Sequence, residues 1–150
     1  KEEEDHESRF CRNELIFGEE GVSLLAEKRV AVFGIGGVGG YAAEAVVRSG
    51  IGSIALFDMD KVSRSNINRQ IIALESTVGM AKVDAAEIRF LDINPDLKVE
   101  KHKMFFSDEN AGQIDFTSYD YVIDAIDTVS SKLLLIEKVC MAGVPVIIAM

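Results

Sequence analysis

Five glycines within seven positions, Gly34, Gly36, Gly37, Gly39 and Gly40, follow directly on the apolar run Val30-Ala31-Val32-Phe33 and precede an Ala-rich segment over 41–49. A β-branched and aromatic run ended by such a turn reads as a buried strand, and the Ala-rich continuation as a helix. Gly34, Gly36 and Gly39 have the G-x-G-x-x-G spacing. In that pattern the first glycine allows the turn, the second lets backbone approach a phosphate, and the third packs helix on strand. The helix N-terminus then offers unpaired N–H groups and a positive dipole end to an anion. Similar turns also occur with no ligand, so this one needs support from elsewhere in the chain.

Support comes first from the next strand. The run Ser53-Ile54-Ala55-Leu56-Phe57 ends in Asp58, 19 residues after Gly39, and Asp60 follows. A carboxylate at the tip of a second parallel strand can accept hydrogen bonds from ribose hydroxyls, although it can equally cap its own loop. Turn and acid together fit NAD and ATP alike.

The remaining pattern alternates strands and helices. Helices are expected over 19–28 (apolar side Val22, Leu24, Leu25), from the glycine turn to 49, over 79–94 and over 130–141. Strands are expected over 29–33, 53–58, 97–102, 121–126 and 145–149, the last read as buried, with 61–75 polar and irregular. The pattern predicts a Rossmann-like α/β fold, a doubly wound and mainly parallel sheet with helices on both faces. Ligands of such sheets bind beyond the C-terminal strand ends. The glycine turn, Asp58, Asp60 and Asp127 all fall there.

Composition narrows the class. At 150 residues the chain can bury one α/β core, and 48% hydrophobic with 27% charged residues is ordinary for a globular protein. No apolar run approaches the roughly 18 residues of a membrane helix, and Lys1 to Glu7 are too charged for a secretory leader. The expected location is cytoplasmic. Cys11 and Cys140 form no C-x-x-C pair, so neither zinc nor a disulfide framework is indicated. Cys140, spaced with Leu133 and Ile136, reads as a small core residue. Of the net charge of −9, residues 1–20 carry −5, with eight acidic side chains against three basic ones. The expectation is a mobile acidic tail over 1–8 followed by one domain over 9–150. Because the sequence stops in a strand-like run, that domain is expected to be the N-terminal part of something longer. No basic nucleic-acid surface is apparent.

The chemistry turns on a further cluster. Ser65-Asn66-Ile67-Asn68-Arg69-Gln70 follows the second strand, and Lys82 lies thirteen residues beyond Arg69. An Arg and a Lys at a nucleotide site neutralise a triphosphate and stabilise charge developing on it. Asp127 offers a hard oxygen ligand for Mg²⁺. Either cation alone reads as a solvated surface charge. Their coincidence with Asp127 favours ATP, since a dehydrogenase has no use for a metal carboxylate.

The motifs together, from Arg12 and Gly18 (R-x-x-x-x-x-G) through Gly34 to Gly39, Asp58-Met59-Asp60, Ser65 to Gln70 and Val78-Gly79-Met80-Ala81-Lys82 to Asp124-Ala125-Ile126-Asp127, are similar to those of the ubiquitin-activating-enzyme-like adenylyltransferases. That is the ThiF, MoeB and HesA group, which activates sulfur carriers. Arg9-Phe10, Leu15 to Gly21, the G-I-G-G-V-G-G form and Asp124 to Thr128 most resemble the tRNA threonylcarbamoyladenosine dehydratases.

The resemblance implies an enzyme using ATP and Mg²⁺ in which a carboxylate attacks the α-phosphorus. The acyl-adenylate formed would then close a ring in tRNA, with net loss of water. It implies binding of the nucleotide by Gly34, Gly36, Gly37, Gly39, Asp58, Asp60, Asn66, Asn68, Arg69, Lys82, Asp127 and Thr128. The expected catalytic residues are Arg12, Arg69, Lys82 and Asp127, with Asp127 as metal ligand. Arg12 would reach the neighbouring subunit's site, which implies a homodimer. The alternative is activation of a sulfur-carrier or ubiquitin-like C-terminus, with a cysteine desulfurase or other sulfur acceptor as partner. An NAD-binding dehydrogenase or a non-catalytic nucleotide-binding module remains a reading of another class. The acidic balance of this span lends tRNA binding no support.

Overall fold

A computed structural model of the chain describes residues 8–149. The acidic segment expected over 1–8 therefore lies, Ser8 apart, outside the described residues. The strands are β1 (Arg29–Phe33), β2 (Ser53–Phe57), β3 (Lys98–His102), β4 (Tyr121–Asp124) and β5 (Val146–Ile148). The helices are α1 (Cys11–Ala26), α2 (Gly39–Ser49), α3 (Lys82–Ile93), a short α4 (Asp108–Ala111) and α5 (Val129–Met141). The strands form one sheet in the order β3-β2-β1-β4-β5, and every pair is parallel. The chain leaves β1 toward β2 on one side and returns to its other side through β4, so the direction of winding reverses between β1 and β4. In open α/β sheets a crevice forms at that reversal.

Alternation along the strands builds two cores. Val30, Val32, Ile54 and Leu56 point to one face, where Ala43 and Val47 of α2 and Val83, Ala86 and Phe90 of α3 cover them. Ala31, Phe33, Ala55 and Phe57 point to the other, against Leu135 and Val139 of α5 together with Phe106 and Phe116. Strands covered on both faces read as continuous apolar runs, which is why they were visible in the sequence. Each fully buried Val, Ile, Leu or Phe contributes about 1.5–3 kcal/mol.

Several boundaries depart from expectation. The helix expected over 19–28 is the second part of α1, which starts at Cys11 and changes direction at Gly18 (φ 72, ψ 167). Arg12 is thus helical and does not precede the first helix. The helix expected from 79 starts at Lys82, because Gly79 has φ +89, Ala81 is extended, and Ala81 bridges Lys61. The strand expected to reach 126 ends at Asp124, whose side chain turns back to accept from the Ile126 N–H at 3.0 Å. The last strand is not buried: β5 is one of the two outer strands of the sheet, and Ile147 and Ile148 are exposed. Cys140 is exposed too. The buried face of α5 carries Ser131, Lys132, Leu135 and Val139, and the Leu133 to Cys140 side faces outward.

Candidate nucleotide site

The crevice at the reversal is a cleft of about 630 Å³, lined among others by Gly34, Gly36, Gly37, Asp58, Asp60, Arg69, Lys82, Asp127 and Thr128. These residues come from five separated segments of the chain.

The turn that opens the cleft needs glycine at two points for steric reasons. Gly34 has φ +88, and a Cβ on it would stand 2.6 Å from the Ala125 carbonyl oxygen. A Cβ on Gly39 would come within 1.7 Å of the Gly34 carbonyl oxygen. The first contact lets the β1 and β4 ends approach each other, and the second sets α2 on β1. Gly39 thus acts through packing and is not itself a lining residue.

Asp58 is anchored by backbone. Its Oδ2 accepts from the Ile35 N–H at 2.7 Å and its Oδ1 from the Asp60 N–H at 2.8 Å. Burial raises its carboxyl above the ordinary carboxylate value; the two N–H groups and Lys82 pull the other way, and Asp60 adds to the rise. Each oxygen keeps a lone pair for a further donor. The buried Lys82 ammonium donates to Asp60 Oδ2 at 3.0 Å and stands 4.0 Å from Asp58 Oδ2. A desolvated cation thereby faces the cleft, carried by the first residue of α3.

Arg69 runs along the turn: a Cβ on Gly37 would lie 3.7 Å from its Cγ. Its Nη1 donates to the Ser65 carbonyl and to Asn68 Oδ1, both at 3.0 Å. Asn68 therefore orients Arg69 and does not line the cleft; neither does Asn66, whose Oδ1 caps the Ser63 N–H at 2.9 Å. Asp127 is exposed at the opposite rim, where the Thr128 hydroxyl approaches its Oδ1 at 3.5 Å. Among the described residues no three His, Cys, Asp or Glu side chains cluster as a metal cage. The donor set at the cleft suits a hard cation held by one carboxylate together with phosphate oxygens.

Arg12 is not brought to this cleft. The start of α1 sits at the far end of the sheet, where the Phe10 ring covers Gly50, Asn13 donates to the Arg48 carbonyl, and Arg9 donates to Asn94 at the end of α3.

Three features carried no role in the sequence reading. Asp124 is fully buried, and Lys132 closes on its Oδ2 at 2.9 Å while donating to the Ala149 carbonyl at 2.8 Å. No short-range spacing rule relates residues eight apart across a helix start. Met104, Phe105 and Phe106 form an apolar wall, continued by Phe33 stacked on Phe57 at 4.1 Å; this triple after β3 was readable as an unusual apolar loop. Gln70 lines the cleft nearly buried, and its Oε1 has no hydrogen-bond partner. Such an orphan costs about 1–3 kcal/mol.

The family model for ThiF matches residues 10–150. The chain belongs to the ThiF family. This ThiF-family chain is 47% identical over 141 residues to tRNA threonylcarbamoyladenosine dehydratase of Bacillus subtilis, a match covering 94% of the chain and 56% of that protein. It is 42% identical over 128 residues to the Escherichia coli protein of the same name, covering 85% and 48%. The structure of the E. coli dehydratase in complex with ATP superposes with a TM-score of 0.89 at 42% identity, over 93% of this chain and 58% of that one. E. coli MccB with AMPCPP and MccA superposes at 0.84 and 25% identity, over 95% and 44%. The chain spans about half the length of the curated relatives it matches.

Proposed function

We propose that this chain is the nucleotide-binding part of an ATP-dependent adenylating enzyme that cyclises threonylcarbamoyladenosine in tRNA. The observation that carries the reading is the meeting of Lys82, Arg69 and Asp127 around one glycine turn at the sheet's reversal, in a chain 47% identical to a dehydratase of that name. The turn alone suits NAD as well as ATP. Two cations and a rim carboxylate suit a triphosphate.

In this reading the N–H groups at the start of α2 meet phosphate oxygens beside Gly36 and Gly37. Asp58 accepts from the ribose. The base lies against the Met104 to Phe106 wall, where apolar and aromatic surface favours a flat ring. Lys82, held by Asp60, and Arg69, held by Asn68, take up charge that develops as the substrate carboxylate attacks the α-phosphorus and pyrophosphate leaves. Asp127 would hold Mg²⁺, which supplies further charge compensation at the phosphates. Ring closure then releases AMP by attack within the same substrate at the activated carbonyl carbon. Overall, water is lost.

Arg12 belongs to this scheme only through a second copy of the chain. Its place at the far end of the sheet supports a role in trans, and α1 carries the exposed Leu15, Ile16 and Phe17, a patch suited to self-association. A homodimer in the cytoplasm is the assembly we propose. Among the described residues no helix is long and apolar enough to cross a membrane.

ATP–pyrophosphate exchange by the full-length protein tests the reading. Exchange stimulated by tRNA bearing threonylcarbamoyladenosine supports it. Exchange stimulated only by a small carrier protein would move the chain to the sulfur-carrier activators, and no exchange with either removes the adenylating reading.

A further inference from the structure

We propose that the Gln70 carboxamide reads a ribose hydroxyl of the bound nucleotide, opposite Asp58. The inference rests on the ATP reading above and adds a specificity residue to it.

Gln70 closes the loop that carries Arg69. Its backbone is fully engaged, with its N–H on the Asn66 carbonyl at 2.9 Å and its carbonyl accepting from Ala73 at 3.0 Å. Only the amide end of the side chain is left over. The residue is 7% exposed, lines the cleft, and lies against Gly36, where a Cβ would stand 3.9 Å from its Nε2. The other buried polar side chains, Glu44, Asp58, Lys82, Asn94, Asp124, Ser131 and Lys132, each have a hydrogen-bond partner. Among the described residues Gln70 Oε1 is the buried side-chain atom without one. A methionine would fill the same space with no orphan, so an amide here calls for a donor from outside the chain.

The nucleotide narrows that donor. Phosphates at neutral pH offer none, which leaves two ribose hydroxyls and the amino group of the base. Asp58 is pinned to the Ile35 N–H, one residue before the glycine that Gln70 covers. A sugar bound to Asp58 therefore sits beside Gln70, and the base lies a sugar's length farther off. One hydroxyl donates to Asp58 and the other to Gln70 Oε1.

The test uses the full-length protein as wild type, Gln70→Met and Gln70→Glu, titrated calorimetrically with ATP, 2′-deoxy-ATP and 3′-deoxy-ATP. Wild type is expected to bind one deoxynucleotide about tenfold more weakly than ATP through loss of the Gln70 contact. Gln70→Met should weaken ATP about tenfold, bind that deoxynucleotide as well as ATP, and melt without ligand no lower than wild type. Gln70→Glu keeps an acceptor in place and should retain the discrimination whatever its overall affinity. Parallel weakening of all three nucleotides in Gln70→Met would mean the amide meets phosphate through Nε2, and overturns the inference. Asp58 still reads its own hydroxyl in Gln70→Met, so discrimination against one of the two deoxynucleotides should remain there. Discrimination against both that survives in Gln70→Met, or a loss of the Gln70-dependent discrimination in Gln70→Glu, overturns the inference as well. If wild type binds no ATP at all, the adenylating reading falls and this inference with it; if wild type binds ATP, that reading stands even where the Gln70 result is negative.

Discussion

Asp58 and Asp124 hold matching places on the two strands that flank β1, and they have opposite fates. Each sits at a C-terminal strand end and bends one oxygen back to the N–H two residues on, Asp60 in one case and Ile126 in the other. Each has a lysine from the first two turns of a following helix within reach. Asp124 is sealed, and the ammonium of Lys132 is held between it and the Ala149 carbonyl. Asp58 lines the cleft, and its lysine leans mainly on Asp60, whose side chain is 63% exposed. The same local device makes a joint when its carboxylate and its lysine are both held inside, and a binding site when they face a cleft.

The largest effect should come from breaking the sealed pair. Lys132→Ala leaves a buried carboxylate with one N–H donor and no counter-charge, and is expected to cost about 3–5 kcal/mol in urea denaturation. A smaller loss than Lys82→Ala shows would end the contrast. Lys82→Ala should do the reverse, lowering ATP–pyrophosphate exchange about 10²–10³-fold while costing only about 1 kcal/mol of stability, because Asp58 keeps two backbone donors and Asp60 is already wet.

This contrast also explains what the sequence could show. Asp58 and Lys82 were legible because each follows a strong periodic element or motif, and the three central strands β1, β2 and β4 because both their faces are covered. Asp124 was visible as a letter in a motif, but its burial depends on the β4–α5 packing, and no linear pattern encodes that. The outward turn of Cys140 was misread for a related reason. Leu133, Ile136 and Cys140 form one helical stripe and Leu135 and Val139 another, so tertiary contacts decide which is inside. Gln70 was missed because an unmatched amide has no signature before its neighbours are known.

A subtler test is pH. The Asp58 carboxyl is raised by burial from the ordinary value of 3.8. Between 3.8 and the raised native value the folded protein holds a proton that the unfolded chain has released. Stability should therefore fall as pH rises through that window, and the penalty then persists above it. Urea midpoints of wild type and Asp58→Asn across the acid range check this. The asparagine variant should lose that part of the slope, and an unchanged slope would show that Asp58 is not desolvated in the way described. The smallest effect should come from Arg64, paired with Glu75 at 3.0 Å in full view of solvent at the edge of the same loop. Arg64→Ala is expected to stay within about 0.5 kcal/mol of wild type. A larger change would mean that the surroundings of a pair count for less than its charges.

The reach of Lys132 to the Ala149 carbonyl has a temporal meaning. On a growing chain the glycine turn, Asp58 and Lys82 can all be in place while the ribosome is still far from residue 149. The ammonium that neutralises Asp124 gains its second anchor only when β5 has been made and laid beside β4. The support that residue 149 lends to the rim bearing Asp127 is therefore the last of these contacts whose residues are synthesised.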